Sequence, residues 1–286
     1  MAIVNTNFNY FFGLKQLLNV SGQLSSSIEK LTTGYKVNTA AQNPSGKAIA
    51  AMYSAQIGGT RMASLNAQDA SSLVQSAYSS LDKIHEVLLR MRELSLRAMN
   101  DAALTNADRQ TLNSEFVSLR NEITYIASRT MFNNKYMLSG DFAGGKNAYI
   151  SPYAGASKMT IVIPTMTANK IAGGNAYLMS ANATLSSMGK ASFALAQVDV
   201  SIEYLSSVQL SLGVQSQRIN YAINDLSAME VNMSAAKSNI TDADMASEVA
   251  MFAKLQILSQ MGASVLAHGN DLQARIVGLL DYFTPS

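Results

Sequence analysis

The chain of 286 residues contains no cysteine, four prolines and two histidines, and only 14% of its residues are charged. Without thiols there is no disulfide framework and no thiolate metal site, a composition that fits an exported protein which must not cross-link in transit. Charge so far below the roughly 25% of ordinary soluble domains implies that much of the surface is covered by other protein. A formal net charge of +2 is too small to argue for nucleic acid, and no Lys/Arg run or aromatic-basic interleaving appears. The opening MAIVNTNFNYFFGLKQLLNV lacks a basic leader and an A-x-A cleavage site, so no secretory signal is read. It is apolar, but too short and too interrupted to span a bilayer.

Groups able to converge on chemistry are equally scarce. His85 opens HEVLL, which lacks the second histidine of HExxH and gives zinc no ligand pair. With Asp82 and Glu86 beside it, His85 reads as an exposed residue on a polar helix face. His268 reads as helix packing at the edge of an apolar seam. Asp242, Asp244 and Glu248 could be drawn as a cation site, but two acids at a helix start complement its dipole and cap free amides. Gly144-Gly145 and Gly173-Gly174 form neither GxGxxG nor a phosphate loop. No catalytic, metal or cofactor site is assigned, no cofactor is expected, and an enzyme is the least supported class.

What the chain does have is long helical periodicity, with 48% apolar residues to sustain it. From Ile240 to Leu280 it predicts one helix of about 35 to 40 residues, with Thr241 as N-cap and Asp242 and Asp244 in the first turn. Met251, Leu255, Leu258, Gly262, Val265, Gly269, Leu272, Ile276 and Leu279 alternate four and three apart, a heptad seam that demands a partner helix. Leu14, Leu17, Ser21, Leu24, Ile28 and Leu31 repeat that alternation near the other end, closed by Gly34 as a C-terminal signal. The two ends are therefore expected to pair.

Between them, Tyr35 to Asn43 reads as an extended connector, and Asn43-Pro44 restarts a helix. That helix should reach about Asn100, roughly 80 Å at 1.5 Å per residue, with Ala77, Leu81, Ile84, Leu88, Met91, Ser95 and Ala98 on one face. Thr105 and Asp108 resemble a capping box before a return helix bearing Leu112, Phe116, Leu119, Ile123 and Ile126. Met159 to Ile163 reads as a strand ended by Pro164, paired with Tyr149 and Ile150 and turning near Ala154 to Ser157. A last long helix is expected from about Ala176 to Ser238, with Leu205, Val208, Leu212, Gln215, Ile219, Ala222, Leu226, Met229 and Met233 as its seam. The fold class is mostly α: a long antiparallel bundle or coiled coil formed by the two chain arms around a small β-hairpin region.

Three blocks resemble the bacterial flagellins. SSSIEKLTTGYKVNTAAQNPSGKAIA, from Ser25 to Ala50, is similar to the amino-terminal signature, a leucine-bearing helix followed by S/T-G-x-x-[IV]-N-[ST]-A and small residues. RMRELSLRAMN, from Arg90 to Asn100, resembles the middle block. ITDADMASEV followed by AKLQILSQMGASVLA resembles the carboxy-terminal one. FNNKYMLSG, from Phe132 to Gly140, resembles the FNGxxLLxG block that enters the family's hairpin.

The resemblance implies a structural subunit of the extracellular flagellar filament, exported through the flagellar type III apparatus without a cleaved signal peptide, and polymerising with copies of itself for motility. Residues 1–43 and 242–286 would form an inner coiled-coil layer around a central channel, folding on assembly. Residues 44–241 would form an outer helical rod with its hairpin at about 132–175, and the large outer domains of longer relatives are expected to be absent. Leu24, Ile28, Leu31, Met251, Leu255, Leu258, Val265, Leu272, Ile276 and Leu279 are the candidate assembly residues. The implied partners are a flagellar export chaperone, the filament cap and the hook-filament junction proteins, with no nucleic acid and no membrane. Arg90, Leu94 and Glu115 match the patch engaged by the animal innate immune receptor TLR5, with a departure at Leu89 where the family usually has Gln. Two alternatives stand: a hook-filament junction protein of the same superfamily, and a secreted protein that inserts amphipathic termini into membranes. The latter predicts a basic polar face, whereas residues 1 to 31 carry only Lys15 and Lys30.

Overall fold

The computed structural model describes residues 8–153, 158–171, 178 and 182–283, with side chains there except at 9, 272–274 and 276–283. The chain forms two compact units. One is built from residues up to Ala55 and from Asn232 onward, the other from Gln56–Val231.

In the first unit, α1 (Phe8–Thr33) ends where Gly34 takes φ +75°, a left-handed conformation that glycine adopts without steric cost. Helix α2 (Pro44–Ala98, 55 residues) starts as the Asn-Pro pair predicts, the Gly46 amide donating to Asn43 Oδ1 at 2.9 Å. Helix α4 (Met188–Thr241) ends near the start of α5 (Met245–Phe283, 39 residues). The cap of α5 is Asp244, not Thr241: Asp244 Oδ1 accepts the amides of Ala246 and Ser247 at 3.0 and 3.2 Å. Thr241 instead closes α4, its hydroxyl 3.0 Å from the Lys237 carbonyl. The break falls there because the chain pairs sideways. The Lys36 amide donates to the Thr241 carbonyl, and the Ala243 amide to that of Gly34, both at 2.8 Å. Those bonds are incompatible with a continuous helix.

Helices α1 and α5 pair antiparallel. Gly13 lies under Leu266, Gly262 under Leu17, and Lys30 Nζ is 3.8 Å from the Glu248 carboxylate, so partner numbers fall along one helix as they rise along the other. Small residues facing large ones let the two backbones approach.

In the second unit, Ala77, Leu81, Ile84, Leu88, Met91, Ser95 and Ala98 are all fully buried, the row the periodicity predicts. Helix α3 (Asn106–Arg129) begins at the expected capping box: the Asp108 amide donates to Thr105 Oγ1 and the Thr105 amide to Asp108 Oδ2. Buried Arg109 donates from Nε to the Ala98 carbonyl at 3.2 Å and pairs with Asp101, tying the end of α2 to the start of α3. Along α4, Leu205, Val208, Leu212 and Ile219 join the same core. Arg92 with Asp199, Asp82 with Gln209 and Arg61 with Glu230, at 2.6 to 2.7 Å, fix an antiparallel register between α2 and α4. Helix α4 starts at Met188 rather than near Ala176. The described residues 182–187 are non-helical, and the Leu185 amide is taken by Asn113 Oδ1 instead of an α-helical carbonyl.

Among the described residues, two hairpins complete this unit. The first pairs β1 (Met131–Phe132) with β2 (Lys135–Tyr136), Met131 opposite Tyr136. Asn133 and Asn134 both take positive φ, +44° and +63°, as a tight two-residue hairpin turn requires. The second pairs β3 (Lys146–Tyr149) with β4 (Lys158–Ile161), Tyr149 opposite Lys158 and Lys146 opposite Ile161. It ends two residues before the expected Ile163. The Val162 amide is taken by Gln215 Oε1 at 3.3 Å, and the Ile163 amide by the Phe142 carbonyl. The expected turn at residues 154–157 lies outside the described residues.

Candidate functional site

The site is a surface, and it comes from the width of the apolar stripe on α5. Burial against α1 follows Glu248, Phe252, Leu255, Ser259, Gly262 and Leu266, spaced four, three, four, three and four: a complete heptad face. Leu255 is 4% exposed within it. Met251, Leu258 and Val265, predicted as part of one seam, are instead 48, 41 and 68% exposed. They form a second row beside the closed one, and Ile257 and Met261, also exposed, carry it further round the helix.

The same split appears on α1. Leu17, Leu24 and Leu31 are half-buried, with Val20 and Ser27 buried between them, while Ser21 and Ile28 face outward and Phe8, Phe11, Phe12 and Leu18 are exposed. The periodicity therefore merged one satisfied row and one open row on each helix. An apolar stripe wider than two rows fits more than one heptad frame. The side chains of Leu272, Ile276 and Leu279 lie outside the described residues. Fully burying a Met, Leu or Val side chain contributes about 1.5–3 kcal/mol each, so the open rows are a large unspent driving force for association. By length and composition, Met245–Asp271 is also apolar enough to cross a bilayer.

The α2/α3 patch divides differently. Arg90 Nε and Nη2 donate to Glu115 Oε1 at 2.9 and 2.8 Å, and Nη1 to Glu93 at 3.1 Å. The bond to Glu115, then that to Glu93, holds the guanidinium pKa above its ordinary value. Leu94, grouped with them by the resemblance, is 2% exposed and belongs to the core. Its surface neighbour is Leu89, 43% exposed.

The acids near the α4/α5 break take separate partners. Asp244 caps α5, Glu248 meets Lys30, and Asp242 accepts hydrogen bonds from Ser238 and Thr241. Ser238 foremost, then Thr241, depresses the Asp242 carboxyl pKa. Among the described residues no three His, Asp or Glu side chains are placed to hold a metal ion. His85 is half-buried rather than exposed, since its turn carries Ile84 and Leu88 into the core, and its Nδ1 is shielded without a partner. His268 is exposed rather than packed, its Nδ1 3.0 Å from the Ser264 carbonyl of its own helix.

Paired helices that leave a broad apolar row in solvent define a helical protein that associates through that row. Residues 4–143 match the bacterial flagellin N-terminal helical region, and residues 195–280 the bacterial flagellin C-terminal helical region. The chain is 34% identical to a flagellin of Bacillus subtilis (strain 168) and 32% identical to flagellin FlaB2 of Treponema pallidum (strain Nichols), each over 97% of this chain and 99% of the relative. A solved structure from Vibrio parahaemolyticus, named as a flagellar hook-associated protein, shares the fold at TM-score 0.60 and 15% identity, covering 70% of this chain and all of that one. The chain belongs to the bacterial flagellin family. It is a structural subunit of the flagellar filament, an extracellular appendage.

Proposed function

We propose that the chain polymerises by burying the open rows of its terminal helices, Met251, Leu258 and Val265 on α5 and Ile28 on α1, against other copies of itself. The observation that carries this reading is the second apolar row on α5, which a single chain leaves in solvent beside a row that α1 already covers. Leu24, Leu31 and Leu255 hold the helix pair together; by sequence spacing alone, Leu272 and Leu279 share the heptad position of Met251, Leu258 and Val265, and Ile276 that of Leu255. Head-to-tail contacts that do not close on themselves produce a helical filament rather than a ring. The terminal helices complete their folding in that lattice, around a central channel through which further subunits travel. Export without a cleaved signal peptide and transient engagement by an export chaperone fit an apolar face that must not associate early. The filament cap and hook-filament junction proteins meet the same terminal helices, and no enzymatic activity is part of the role. Recognition by TLR5 would rest on Arg90 and Glu115 as an exposed pair, with Leu94 supporting the surface from beneath.

The test is the full-length triple variant Met251→Ser, Leu258→Ser, Val265→Ser, checked for helicity by circular dichroism and for filaments by negative-stain microscopy. The reading expects a folded monomer that forms no long filaments. Long filaments at the wild-type critical concentration would refute it. The bilayer-length apolarity of Met245–Asp271 favours one rival, insertion into lipid. Liposome flotation separates the two, because the assembly reading leaves the monomer in the aqueous fraction.

A further inference from the structure

The chain has no cysteine, so its methionine thioethers are its only readily oxidised sulfur. They differ in exposure, and Met52, Met62, Met131, Met188, Met229 and Met245 are open to solvent away from the second row of α5. Met91, Met137 and Met166 are fully buried in the second unit, whereas Met251 is 48% and Met261 59% exposed on the open side of α5. These two stand among Ile257, Leu258 and Val265, on the face assigned above to subunit contacts.

We propose that Met251 and Met261 are oxidation sites of the unassembled subunit, where conversion to sulfoxide by a hydroperoxide blocks polymerisation until a dithiol reductase reverses it. The inference rests on the assembly reading and goes beyond it. In the forward step a sulfur lone pair attacks the terminal peroxide oxygen. The S–O bond forms as the O–O bond breaks, sulfur loses two electrons, and the departing oxygen takes up the proton to leave as water or an alcohol. In the reverse step a dithiol supplies two electrons and two protons, becoming a disulfide as the sulfoxide oxygen leaves as water. A sulfoxide turns a flexible apolar side chain into a polar one, and its oxygen, buried among aliphatic side chains without a donor, opposes association. Polymerisation withdraws the same two sulfurs from solvent. The filament is therefore the protected form and the free subunit the sensitive one.

The experiment treats the purified full-length monomer with hydrogen peroxide, maps added oxygen by peptide mass spectrometry, and measures the critical concentration for seeded polymerisation. Met251 and Met261 should take up oxygen while Met91, Met137 and Met166 do not, and the critical concentration should rise about tenfold or more. Preformed filaments given the same dose should keep both thioethers. The double variant Met251→Leu, Met261→Leu should polymerise equally well before and after peroxide, and each single variant should keep part of the sensitivity. The inference is overturned if oxidised monomer polymerises normally, or if the double variant is as peroxide-sensitive as the parent. If Leu258→Ser also leaves polymerisation intact, the assembly reading itself has failed. If Leu258→Ser abolishes polymerisation and peroxide does not, only the oxidation inference falls.

Discussion

Leu266 fills the space that a side chain on Gly13 would need: a Cβ there would come within 2.7 Å of Leu266 Cδ2. Cδ2 is the free end of a half-buried side chain and can swing aside, so Gly13→Ala should be tolerated. It gains about 1 kcal/mol of helix propensity against the cost of that shift. Gly13→Val adds a branch that Leu266 cannot clear without separating α1 from α5. Hydrogen exchange of the α1 amides should be unchanged or slower in the alanine variant and faster in the valine variant.

Leu94 and Arg90 are one helical turn apart and should respond oppositely to truncation. Leu94→Ala opens a cavity in the core and should cost about 2–5 kcal/mol, visible as a large fall in Tm. Arg90→Ala removes an exposed pair with Glu115 and should leave Tm almost unchanged. Any receptor assay on a Leu94 variant must therefore be read alongside its stability.

The capping box of α3 gives a pH-dependent prediction. Hydrogen bonds from the Thr105 side chain and backbone hold the Asp108 carboxyl below its ordinary pKa. A depressed folded-state pKa adds stability that is fully present above the unfolded value, about 3.9, and is lost as pH falls through the folded value. The Tm gap between wild type and Asp108→Asn should be constant near neutrality and close under acid. Thr105→Ala should cost about 1 kcal/mol at pH 7.

Arg109 is 5% exposed while its partner Asp101 lies at the surface. Arg109→Met leaves the Ala98 carbonyl without its donor and should destabilise the second unit by about 2 kcal/mol. Asp101→Asn should cost less, because the bond to Ala98 survives. Paired thermal melts of the two variants measure the difference.

Local rules read the fold well wherever the deciding atoms lie close in sequence. Gly34, Asn43-Pro44 and Thr105 with Asp108 each set a helix boundary within a few residues, and Ala77 to Ala98 kept one buried row because one bundle covers one narrow stripe. Boundaries depart from the local rules where a distant segment decides. Thr241 lost its cap role because residues 34 to 36 pair with the chain across the break. The β4 strand stopped early because Gln215, on α4, satisfies Val162. The tight turn at Asn133 and Asn134 carries a usable signal, since asparagine tolerates left-handed φ, and it falls inside the family block FNNKYMLSG. On α5 the apolar stripe was legible and its division was not. Met251 and Leu255 are equally good heptad residues, and only the position of α1 separates the covered row from the open one.

A near-atomic cryo-electron microscopy reconstruction of filaments grown from this chain would place the open row directly. The account predicts Met251, Leu258 and Val265 within van der Waals distance, about 4 Å, of another copy. Filaments in which those three side chains still face solvent, with subunits joined only through residues 56–231, would contradict it.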